Sequence, residues 1–154
     1  MFGKLFSRRA KTAPQVDLVG LQEAIVRSVV NDRTELYEGE WDERDWVFLA
    51  VNHELLIEDG RRSSTQAKVL AHKGDGALED LSFRLSPGSK AAILALRDAM
   101  VGMGQAPWTI LDLTVERSGK YEVSFSYEAP PRLNGDLLHN PNKDLLERYR
   151  AQNS

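Results

Sequence analysis

Apolar residues open the chain's first regular pattern at Leu18, Leu21, Ile25 and Val29. Their spacing of three and four puts them on one helix face. Asp17 stands just before them, where a short carboxylate accepts from first-turn N–H groups. A helix is therefore predicted over 17–31, ended by Asn31 and Asp32. The pattern then shifts toward strand character. Residues 34–41 set Leu36, Tyr37 and Trp41 among acids. Residues 46–51 form a compact apolar run, suited to a central strand. Residues 42–45 would be the turn between them. Residues 58–64 carry Asp59, Gly60 and two serines and read as a loop. Two further strands are expected over 66–73 and 78–85, joined through Gly74, Asp75 and Gly76 as a hairpin turn.

Ser86 followed by Pro87 marks a second helix, with serine as cap and proline at the first helical position. Ile93, Leu96, Met100 and Met103 form its apolar stripe, and Gly102 and Gly104 end it. The clearest hairpin comes next, 108–116 and 120–128 flanking Arg117, Ser118 and Gly119. Leu111, Leu113 and Val115 alternate on one strand, and Tyr121, Val123, Phe125 and Tyr127 on the other. Trp108, Phe125 and Tyr127 are read as core. Pro130 and Pro131 stop the sheet, 133–140 reads as loop, and Asn140 with Pro141 opens a last helix to about 151. Leu145, Leu146 and Tyr149 would pack that helix onto the body. The expected class is α+β, in the order α-β-β-β-β-α-β-β-α, with a mainly antiparallel sheet and the helices packed on one face.

Composition narrows the chemistry. A chain of 154 residues suits one domain. The absence of cysteine removes disulfides, thiolate nucleophiles and Cys-ligated metals. No apolar run approaches a membrane span. Residues 1–11 carry bases but lack the apolar core of a secretory signal, so a cytoplasmic protein is expected. Four of the 20 bases (Lys4, Arg8, Arg9 and Lys11) precede Pro14, and none of the 23 acids does. The rest of the chain thus has 16 bases against 23 acids, a net of −7. The expected organisation is a flexible basic arm over 1–13 and one domain over 14–154. An acidic body disfavours direct nucleic-acid binding and favours basic protein partners.

Candidate catalytic groups do not assemble. His53, His72 and His139 fall at no metal-ligand spacing, and no phosphate-loop, dinucleotide or nucleophile-elbow motif occurs. No catalytic, metal or cofactor site is therefore expected. The segment 35–45 stands out instead. Glu35, Glu38, Glu40, Asp42, Glu43 and Asp45 fall within it, with Arg44 as its one base and Tyr37 and Trp41 interleaved. One reading is a solvated edge hairpin whose charges prevent edge-to-edge pairing. The other is a partner-binding surface, which steers a basic protein by charge and holds it with aromatic anchors. In a regular strand Tyr37 and Trp41, four apart, would share a face.

The C-terminal hairpin carries a resemblance. Trp108, Leu111, Leu113 and Val115, followed by Gly119, Lys120, Tyr121, Phe125 and Tyr127, resemble the tryptophan-strand hairpin of the YezG-like family. That family includes immunity proteins of bacterial polymorphic toxin systems. The chain order and the terminal segment from Asn140 to Tyr149 are also similar, although Leu145 and Leu146 stand where the family often has tryptophan. The resemblance implies a non-catalytic antitoxin that binds a cognate toxin, often a nuclease, and blocks it. The alternative is an adaptor that docks on a membrane through Met1, Phe2, Leu5, Phe6 and the neighbouring bases, or self-associates. An unpaired strand edge could join two copies.

Overall fold

The computed structural model describes residues 17–153, so the arm expected over 1–13 lies outside the described residues. Helix α1 spans Leu18–Asp32, and the Asp17 carboxylate caps it by accepting from the Gly20 N–H at 2.8 Å. Strands β1 (Asp45–Ile57), β2 (Arg61–His72) and β3 (Glu79–Ser82) follow. Helix α2 spans Pro87–Gly102, with the Ser86 hydroxyl accepting from the Ser89 N–H. Strands β4 (Ile110–Glu116) and β5 (Tyr121–Ser126), a 3-10 turn at Arg132–Asn134 and helix α3 (Leu145–Gln152) complete the chain. The class is α+β, as the sequence pattern predicts. The five strands run β3-β2-β1-β4-β5 in space, and every neighbouring pair is antiparallel.

Strand β1 is the centre of the sheet and is buried almost continuously from Leu49 to Leu55. Its alternation divides the interior in two. Leu49, Val51 and Leu55 face α1 and α2; the first two join Ile25, Val29, Ile93 and Leu96 in the larger core. Ala50 faces the other way and meets Leu70 and Leu145, with Phe48 and Tyr149 beside them. Helix α3 therefore packs on the opposite face, and the helices cover both faces rather than the one expected. The apolar residues of α3 have no place on the helix-side core, which α1 and α2 already fill.

Local differences have local causes. Residues 34–41 contribute one antiparallel bridge, Leu36 to Phe83, in place of a strand. Gly39, Asp42 and Glu43 take positive φ of 74°, 50° and 56°, which breaks an extended run. The 58–64 loop shrinks to a tight turn, because Asp59 and Gly60 at φ 53° and 108° reverse the chain and Arg61 already belongs to β2. The last helix starts at Leu145 instead of Pro141. Trp108 is fully buried and stacks on Phe125 at 5.0 Å, whereas Tyr127 lies past the end of β5 and is exposed. Two helices are tied by one carboxylate. Asp32, at the end of α1, accepts from the backbone N–H and hydroxyl of Ser86, both at 3.0 Å, and from Ser89. No helix among the described residues is long and apolar enough to cross a membrane.

Candidate functional site

The acidic segment forms the connection between α1 and β1. Leu36 is buried beneath it and anchors it beside Phe83. Backbone bonds from Tyr37 N–H to Ser82 and from Arg84 N–H to Glu35 fix its first half at the sheet edge. Glu35, Tyr37, Glu38, Glu40, Asp42, Glu43 and Asp45 are all exposed. Trp41 is half-buried and packs on the helix-side core. The shared aromatic face is therefore absent: Tyr37 points outward under the Arg84 guanidinium at 4.4 Å, while Trp41 turns inward beneath Arg33 at 5.5 Å. Gly39, at φ 74°, breaks the extended run between them.

The acids divide into two groups. Asp42 pairs with Lys73 at 3.2 Å and Asp45 with Arg117 at 2.7 Å. Arg44, the segment's one base, donates to the carbonyls of Glu40 and Trp41 and pairs with Glu79 at 3.3 Å. Exposed pairs of this kind add little stability, roughly 0–1 kcal/mol each, but they neutralise the charge they hold. Glu35, Glu38, Glu40 and Glu43 have no ion pair among the described residues. The acidic surface without ion pairs is smaller than the sequence implies and consists of four glutamates, of which Glu35 and Glu38 lie next to Tyr37 in the chain.

The sequence pattern did not single out two buried polar groups on β1. His53 is 1% exposed on the helix side, with Nδ1 2.7 Å from the Thr65 hydroxyl. Burial, reinforced by the charges of Lys90 and Arg132, lowers its pKa from 6.5 to about 4, so the ring is neutral near pH 7. It lines an open cavity of about 380 Å³ beside α2. The neighbouring Glu54 is fully buried on the opposite side. Its carboxylate accepts from the backbone N–H groups of Arg132 and Leu133 and lies 3.3 Å from the Arg132 guanidinium. Arg132 also donates to the Ser64 hydroxyl and to the carbonyls of Asn52 and Ser64. Burial lowers the Arg132 pKa, while Glu54 and Asp112 oppose that shift. With its bonds filled inside the protein, this pair fastens the 130–134 segment to the sheet. The missed signal was period-2 alternation: extending it from Leu49 and Val51 to Leu55 places His53 on the core face.

Among the described residues no cluster of His, Asp or Glu has the form of a metal site. No protein-family model matches the chain, and no curated protein matches it. The likeness to YezG-like proteins accordingly rests on the residues of β4 and β5 and on chain order.

Proposed function

We propose that the protein is a cytoplasmic immunity protein, which neutralises a basic toxin domain by covering its working surface and performs no chemistry of its own. The observation that carries this reading is the set of exposed, uncompensated carboxylates at Glu35, Glu38, Glu40 and Glu43 beside the exposed ring of Tyr37. A surface that binds an anionic substrate such as a nucleic acid is basic, and fixed carboxylates compete for it directly. The tyrosine ring supplies a contact that salt does not screen. A pull-down from the native cell tests the reading. The wild-type chain should recover a basic protein whose toxicity it suppresses. Glu35→Lys/Glu38→Lys/Glu40→Lys/Glu43→Lys should not recover it. Equal recovery by both would contradict the proposal.

A further inference from the structure

The cavity beside α2 shares no residue with the acidic segment and lies on the helix side of the sheet. It is an open groove, with β1 and β2 on one side and the flank of α2 on the other, and only His53 and Leu55 of its lining residues are buried. The space exists because small side chains meet there: Ala91 and Ala95 on the helix stand over Ser63 on β2. Leu55 and Leu94 make the remaining walls apolar. The volume of about 380 Å³ is within the range of small-ligand sites, roughly 300–1,000 Å³.

Half of the lining residues are polar: His53, Arg61, Ser63, Lys90 and Asp98. His53 is 99% buried and lines it, with Nδ1 engaged by Thr65. Lys90 and Arg61 add two positive charges to the lining and Asp98 one negative charge, so the cavity is positive by one. When the Thr65 hydroxyl donates to Nδ1, the neutral ring presents Nε2–H to the cavity. A donor and an ammonium group then face one space with apolar walls.

We propose that this cavity binds a small monocarboxylate with an apolar body, its carboxylate held by His53 Nε2–H and the Lys90 ammonium and its body against Leu55, Leu94, Ala91 and Ala95. A single negative charge balances the lining, and the side formed by Leu55, Leu94, Ala91 and Ala95 favours a ligand with an apolar body. Charge-assisted bonds from both groups set the orientation.

Phenylacetate is a suitable probe, followed by two-dimensional NMR of the full chain, with phenylacetamide and inorganic phosphate as comparisons. Phenylacetate should shift the amides of Leu55, Ala91 and Ala95 and the His53 ring saturably, at roughly millimolar affinity for a ligand this small. Lys90→Gln should weaken binding about tenfold, the loss of one charge-assisted hydrogen bond. Ala95→Leu, which fills the cavity, should abolish binding while circular dichroism reports an intact fold. Removing Lys90 leaves the core untouched, so the outcome does not depend on whether a His53 variant folds. The proposal is overturned by the absence of saturable shifts, by equal shifts with phenylacetamide or phosphate, or by undiminished binding in folded Lys90→Gln or Ala95→Leu.

Discussion

His53 couples the interior of this protein to pH. Its ring is neutral because burial removes it from water and because Lys90 and Arg132 oppose a further positive charge. The unfolded chain takes up a proton near 6.5 and the folded chain only near 4, so the unfolded state binds more protons between those values. Stability is unaffected by His53 above that window and falls as pH drops through it. The loss is complete below about 4 and reaches about 3 kcal/mol. Urea unfolding of wild type and His53→Gln across this range measures it: the variant should show a flatter pH dependence. The Trp108 ring is stacked on Phe125 and donates to the Met100 sulfur at 3.4 Å. Trp108→Ala should cost roughly 3–5 kcal/mol in the same assay, because nothing nearby can fill the space. The two sites differ in legibility. Trp108 reads as core from its type and its place in an alternating strand. His53 is hidden because Asn52, His53 and Glu54 interrupt the apolar run, and only strict alternation reveals which of the three faces the helices.

At the scale of elements, helices and turns were readable where capping chemistry is local. Asp17 and Ser86 accept the bonds their positions predict. Strands β1 and β2 run longer than the pattern predicts, since β1 continues through polar residues that find partners across the sheet, whereas β3, β4 and β5 are shorter than expected. Asn52, for example, donates to Asp112 at 2.8 Å. The segment after β5 was read as loop, and its anchor could not be inferred, because Glu54 and Arg132 are far apart in sequence and their pairing is tertiary. Arg132→Met should destabilise the fold by about 3–5 kcal/mol, since it leaves the Glu54 carboxylate buried without its cation. Adding Glu54→Gln should recover part of that loss, because it removes the buried charge and its amide oxygen keeps an acceptor for one of the two backbone N–H groups, of Arg132 or Leu133. Denaturant unfolding of both variants checks the order. A double variant no better than the single one would mean that the ion pair is not the source of the cost.

On the scale of the whole molecule, the sheet is covered on both faces and ends in β3 and β5. The acidic segment crosses the sheet edge beside β3, held by Leu36, so its charges ride on a fixed base. Sequence alone located this segment but overstated its charge. The partners of Asp42 and Asp45 are Lys73 and Arg117, which come from the β2–β3 and β4–β5 turns and reach it only in the fold. The four free glutamates and the two paired aspartates should therefore differ in effect. The measurement that tests the central claim most directly is the affinity for the basic partner recovered from the native cell, read by calorimetry at low and high salt. Binding should weaken as salt rises. Glu35→Gln/Glu38→Gln/Glu40→Gln/Glu43→Gln should lower affinity and flatten that salt dependence, whereas Asp42→Asn/Asp45→Asn should change both little. Unchanged affinity and salt dependence in the four-glutamate variant would contradict the account.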